Sequence, residues 1–206
     1  ILYDNNINPV FGLVFDEIWL LARHCCKMVE RVLGEEVWLL PASWIWYVEP
    51  SSTSSGWRPH RERSGEALFD SNGIPQCLSV WLPINDALPI NGCMYVVPIN
   101  KDPFFPERLN VKKVQDLQSI RALPAKRGDF LCWNQAIMHW GGSSSSYAPF
   151  PRVSICFEMQ RKKGEALQRP TIDPFCKMSL SRRLFIVGLE ILNYKHMSNL
   201  DEEFLE

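Results

Sequence analysis

The sequence predicts a mainly β domain, a sandwich or jelly roll, with one helix near each end packed outside the sheets. Three observations predict it. An amphipathic run opens the chain, short strand-like segments divided by turn signals fill its middle, and a second helical run lies near its end. At 206 residues, 46% of them hydrophobic, the chain suits a single domain over residues 1–206 with a substantial core.

Each element has a local reason. From Gly12 to Leu33 the apolar residues Leu13, Val14, Ile18, Leu21, Ala22, Cys25, Val29 and Leu33 recur at spacings of three and four, and Gly34 stands where such a helix ends. Val37 to Val48 is rich in Trp, Ile, Leu and Val but is interrupted by Pro41, so it reads as two short strands. Ser51 to Gly56 is a polar loop and a candidate lid. Further strands are expected at His60–Glu62, Gln76–Ile84, Cys93–Pro98, Arg121–Leu123, Asp129–Trp133 and Val153–Gln160, separated by Asn72-Gly73, Asn91-Gly92, Arg127-Gly128 and the run Gly141 to Ser146. Residues 101–119 carry charged clusters and little periodicity, so they read as an insertion with a short helix, placed to act as a lid. Ser179 or Ser181 caps a final helix bearing Leu184, Phe185, Val187, Leu189, Ile191 and Leu192.

The formal charge is −1 with acids and bases interleaved, which argues against a nucleic acid or an anionic membrane surface as partner and favours a small-molecule substrate. Seven cysteines include no CxxC pair and sit mostly in apolar runs, the pattern of reduced, buried thiols in a cytoplasmic protein. No apolar stretch approaches the roughly 20 residues that span a bilayer. The first residue is Ile1, which predicts a missing N-terminal piece. Nothing in the sequence specifies an oligomeric state.

Two of the four histidines fall in unusual company. In Trp57-Arg58-Pro59-His60-Arg61-Glu62 the His and Glu are two apart, so on extended chain they share a face and can serve one metal ion. His139, in Ile137-Met138-His139-Trp140-Gly141-Gly142, can supply a third ligand. Two histidines and a carboxylate on one side of an octahedron suit iron(II) and leave three positions open, room for a bidentate 2-oxo acid and dioxygen. Arg152 and Ser154 are again two apart. Their guanidinium and hydroxyl make a plausible clamp for the far carboxylate of a five-carbon diacid. The order matters more than any part: HxE, strands, His, then Arg-x-Ser on the last strand.

At these residues the chain resembles the phytanoyl-CoA dioxygenase family of iron(II)- and 2-oxoglutarate-dependent oxygenases, whose core is a double-stranded β-helix (jelly roll, cupin-like). The resemblance runs from about Ser43 to Gln160 and is strongest over Val80-Trp81-Leu82-Pro83-Ile84-Asn85-Asp86-Ala87 and Asn91-Gly92-Cys93-Met94-Tyr95-Val96-Val97-Pro98. It implies His60, Glu62 and His139 as iron ligands and Arg152 as the partner of the far carboxylate of 2-oxoglutarate. Trp81 either borders the co-substrate pocket or is a core aromatic. Asn91-Gly92 reads better as a hairpin turn than as a site. The sequence departs from the family pattern in carrying HxE where HxD is usual. It also carries Gly141 where relatives often place a small hydroxyl residue, so one co-substrate hydrogen bond is either missing or comes from the serine run Ser143–Ser146.

The implied activity is a dioxygenase using Fe(II), 2-oxoglutarate and O2 to hydroxylate an unactivated C–H bond of a small organic substrate, with release of succinate and CO2. Desaturation, ring closure or epimerisation would follow from another substrate pose. Halogenation is disfavoured, since Glu62 fills the position a halide needs. Two other readings stand beside this one: a non-catalytic β-helix domain that binds metal or a small acid, and a metal cupin without an oxo acid, which leaves Arg152 without a role. Trp44, Trp46, Trp57, Trp133 and Trp140 either shape an aromatic pocket or belong to the core.

Overall fold

Val37–Val48 forms one continuous strand of 12 residues, β1, with Pro41 inside it, in the computed structural model, which describes residues 2–5, 7–107 and 116–195. The two short strands expected here are one because Pro41 removes no ladder bond. Leu39 exchanges both backbone hydrogen bonds with Ile172, at 3.0 and 2.8 Å, and β1 is the end strand of its sheet. Residues two apart present their N–H groups to the same edge, so the missing donor of Pro41 faces this outer side, where proline is tolerated.

The chain divides into two compact units, Ile1–Ile45 with Cys156–Glu206, and Trp46–Ile155. The second unit holds β2 (Cys77–Pro83), β3 (Met94–Val96), β4 (Arg121–Leu123), β5 (Leu131–Asn134), β6 (His139–Gly141) and the first residues of β7 (Arg152–Arg161). β2 pairs antiparallel with β5, placing Ser79 opposite Trp133 and Trp81 opposite Leu131. On its other side β2 neighbours β7. A second sheet runs β4-β3-β6, all antiparallel. Every residue of β2 is buried, as a strand covered on both faces must be. The Asn91-Gly92 turn has a structural role: buried Asn91 accepts from the Leu88 N–H at 2.6 Å and donates to the Asp86 carbonyl at 3.0 Å. Of the insertion 101–119, residues 108–115 lie outside the described residues; the described part contains 3-10 turns at Ile99–Lys101 and Leu117–Ser119.

In the first unit the helix expected from Gly12 is broken in two. Asn8 and Pro9 start a 3-10 turn over Pro9–Val14, with the Asn8 side chain accepting from the Val10 N–H at 3.0 Å. Phe15 is extended, and α1 then runs Asp16–Leu33 to Gly34, whose φ of 73° suits a residue without Cβ. α2 spans Leu180–Asn193 and is capped by Ser179, whose hydroxyl accepts from the Arg182 N–H at 3.3 Å. Buried Arg183 donates to the carbonyls of Val14 and Met178 and pairs with Asp16, tying the 3-10 turn, α1 and α2 together. β1 lies beside the later part of β7. Cys25, Cys26, Cys77 and Cys93 are buried. No described helix is long and apolar enough to cross a membrane.

Glu190 lies fully buried on α2. Lost hydration pushes its carboxyl up to about 8, against hydrogen bonds from Asn193 and the Ser43 backbone that pull it down. From its ordinary value of 4.5 up to about 8, the unfolded chain releases a proton that the folded chain keeps. Stability therefore falls as pH rises through that window and levels off above it. Thermal melts from about pH 5 to about pH 9 should show this slope, and Glu190→Gln should flatten it and raise the Tm at the alkaline end.

Candidate metal centre

The strand expected at His60–Glu62 is a single antiparallel bridge: His60 and His139 exchange both backbone hydrogen bonds, each at 3.0 Å. One such pair suffices to set two side chains next to each other on one face. The imidazole centroids lie 4.3 Å apart. Glu62 follows two residues on, off the ladder, and its Oε1 reaches to 3.4 Å from His60 Nε2 and 3.3 Å from His139 Nε2. The three donor atoms fall within 4.8 Å of one another. His139 is buried, while His60 and Glu62 keep about a quarter of their side chains open, at 22% and 25%.

The Nδ1 atoms of His60 and His139 lie 2.7 and 3.0 Å from the carbonyls of Arg58 and Ile137. Carbonyls only accept, so both Nδ1 positions carry the proton and both Nε2 atoms face the carboxylate. Both Nε2 atoms are thereby left to face a cation. Burial pushes the Glu62 carboxyl up, but hydrogen bonding and positive charge from His139 and then His60 outweigh it and hold the group well below the usual carboxylate range. A metal ion supplies the same stabilisation without the protons. Neighbouring ligands about 2.1 Å from a common octahedral ion lie roughly 3 Å apart, close to the 3.3 and 3.4 Å seen. The donor set fits a metal.

Residues on the opposite face of the HxE segment hold it in place. Arg61 is buried and donates to the Ala136 carbonyl and, at 2.6 Å, to Asp102. Arg63 donates from its backbone and side chain to Gln135, at 3.2 and 2.7 Å. The segment carrying two of the donors is thus stitched to the turn that leads into the third.

Arg152 and Ser154 share a face of β7 as expected, both buried, with Nη1 donating to Ser154 Oγ at 2.8 Å. The guanidinium carbon lies 5.7 Å from the centroid of the Trp81 ring, so Trp81 is at once buried and part of the arginine's seat. The other side of that seat is a pair of glycines. A Cβ on Gly141 would lie 2.8 Å from the Gly56 Cα and 3.1 Å from Arg152 Nη2, and one on Gly56 would lie 2.7 Å from the same nitrogen. That contact is why residue 141 has no hydroxyl-bearing side chain. The serine run pairs through its backbone with the polar loop, Ser144 N–H donating to the Ser54 carbonyl at 2.8 Å and Gly56 N–H to Gly142 at 3.2 Å.

The five tryptophans read as either pocket or core residues separate. Trp133 and Trp57 stand beside the histidines, with ring centroids 4.8 Å from His139 and 5.9 Å from His60, and Trp46 packs edge-on against Trp57. Trp140 stacks on Tyr95. Trp44 instead meets Tyr194 in the other unit's core. Gly56, Arg61 and Asp102 escaped the sequence reading, because each acts through a partner distant in sequence.

The model of the phytanoyl-CoA dioxygenase family matches residues 5–152. No curated protein matches by sequence. Among solved structures the chain is similar to EvdMO1, at 22% identity and a TM-score of 0.53 over 67% of this chain and 30% of that one. It is similar to AviO1 from Streptomyces viridochromogenes Tue57, at 16% identity and 0.52 over 69% of this chain and 59% of that one. It is also similar to SnoN, a non-haem alpha-ketoglutarate-dependent epimerase from nogalamycin biosynthesis, at 20% identity and 0.53 over 82% of this chain and 71% of that one. The chain spans only 30% and 59% of the length of the first two. These likenesses show the fold: antiparallel sheets in a cupin-type jelly roll with flanking helices.

Gly141→Ala should force apart the Gly56 contact and the arginine seat. The expected loss is about 1–3 kcal/mol, as for other overpacked sites, read by urea unfolding.

Proposed function

Because the chain belongs to the phytanoyl-CoA dioxygenase family, we propose that it is an iron(II)- and 2-oxoglutarate-dependent dioxygenase. In this reading it hydroxylates an unactivated C–H bond of a small organic substrate and releases succinate and CO2. The observation that carries the proposal is the convergence of His60, Glu62 and His139 to within 4.8 Å of one another. The buried Arg152–Ser154 pair is what points to an oxo diacid. SnoN has been solved with Fe3+ and alpha-ketoglutarate, which agrees with the proposed cofactors.

His60, Glu62 and His139 would hold the iron, and Arg152 with Ser154 the far carboxylate of 2-oxoglutarate. The bound iron and oxo acid supply oxygen activation coupled to decarboxylation. The protein's own contribution is positioning. The reciprocal His60–His139 bonds fix two ligands on backbone, and the Nδ1–H bonds to Arg58 and Ile137 fix each ring's tautomer and plane. Glu62 supplies a full negative charge and offsets part of the metal's charge. Arg152 presents a fork whose orientation is set by Ser154, Trp81 and the two glycines, so little side-chain freedom is lost on binding. Trp133 and Trp57 flank the histidines with apolar surface, which limits water around the reacting carbon.

Anaerobic addition of iron(II) and 2-oxoglutarate should produce a visible charge-transfer band that His139→Ala abolishes. Arg152→Ala should weaken 2-oxoglutarate by about 30-fold or more, since truncating one side of a buried charge pair costs about 2–5 kcal/mol, and should cut succinate formation. Metal-replete wild type without a band would leave a binding domain as the reading.

A further inference from the structure

Two buried polar atoms on the inner face of the β2–β5 sheet have no hydrogen-bond partner within the protein. They are the Ser79 hydroxyl and the Trp133 indole N–H, in residues 5% and 8% exposed. Their placement is specific. Ser79 lies directly opposite Trp133 in the antiparallel register, so both side chains leave the same face. Trp81, two residues after Ser79, leaves that face as well and packs beside the Arg152 guanidinium. At the other end the Trp133 ring lies 4.8 Å from His139. The orphaned pair therefore sits along the path from the arginine seat to the metal donors. Buried donors left unmade cost about 1–3 kcal/mol each, and such groups in a folded protein call for an explanation.

We propose that Ser79 and Trp133 form a second subsite for the oxo acid, donating hydrogen bonds to its metal-proximal carboxylate; the inference rests on the 2-oxoglutarate reading above. Spacing favours it. Two residues of extended chain, Ser79 to Trp81, cover roughly 7 Å, the scale of a five-carbon diacid with its far carboxylate on Arg152. The chemistry favours it too, because both groups can donate and a carboxylate only accepts.

The test is anaerobic titration of the iron(II)-loaded protein with 2-oxoglutarate, read by the charge-transfer band, in wild type, Trp133→Phe and Ser79→Ala, alongside titration of iron(II) itself. Each variant should raise the 2-oxoglutarate Kd about 5- to 30-fold, the equivalent of one hydrogen bond to a charged group, with iron(II) affinity unchanged. Ser79→Thr, which keeps the hydroxyl, should restore the wild-type Kd. With 2-oxobutanoate, which lacks the far carboxylate, Trp133→Phe should show a similar fold loss, placing the subsite at the metal end. If wild type binds 2-oxoglutarate and both variants bind it equally well, the two donors serve only ordered water and the subsite is refuted while the oxygenase reading stands. Equal loss of iron(II) and oxo acid in the variants would make the residues structural and overturn it as well. A wild type that binds no 2-oxoglutarate removes the oxygenase reading and the subsite with it.

Discussion

The reciprocal backbone pair between His60 and His139 is the constraint on which the site depends. An isolated antiparallel bridge contributes little stability, yet it fixes the separation and facing of the two Cα–Cβ bonds, and the Nδ1–H bonds to the Arg58 and Ile137 carbonyls then set each ring. The neighbouring bonds reinforce it on both sides: Gly141 N–H donates to the Trp57 carbonyl at 3.0 Å and Arg63 N–H to the Gln135 carbonyl at 3.2 Å. Three points of attachment keep the HxE segment from sliding, and a slip of one residue would turn both donors away. The buried Arg61–Asp102 pair lies beneath the same segment. Removing either partner would strand a buried charge, which is why this pair acts as a positional lock more than as a source of stability.

A second constraint is volume around Arg152. A buried guanidinium needs room, directed partners and little competing bulk. Here Trp81 provides one wall and the Gly56–Gly141 contact the other. The polar loop Ser51–Gly56 is held by that contact and by its backbone bonds to residues 142–144, so at least its second half is part of the wall around Arg152 and not a free lid.

Much of this was legible in the sequence, and the exceptions have physical reasons. Alternation and turn residues predicted β2, β4, β5 and β7 to within a residue or two, because those strands are long or sharply bounded. β6 escaped because it runs into Gly141 and Gly142, which read as a turn. Pro41 was read as a break because sequence shows the missing donor but not which edge it faces. Phe15 was read through as helix because the apolar spacing continues across a kink that only Asn8, Pro9 and the Trp19–Leu13 bond create. The candidate donors His60 and Glu62, and the Arg152–Ser154 pair, were visible as i, i+2 pairs. Their supports were not: Gly56, Arg61 and Asp102 carry meaning only through contacts formed on folding.

Glu62 shows how local geometry and ligand choice are linked. A carboxylate on regular strand two residues from His60 would stand parallel to it, and the short arm of aspartate would suffice. In this chain the backbone leaves the ladder after His60, so the carboxylate must reach back toward the bridge. The additional methylene of glutamate supplies that reach, and Oε1 comes to nearly equal distances from the two Nε2 atoms, 3.4 and 3.3 Å. A carboxylate oxygen this near both nitrogens can share one ion with them. The HxE departure is therefore compatible with the same coordination chemistry, with its side-chain length matched to where this backbone ends its pairing.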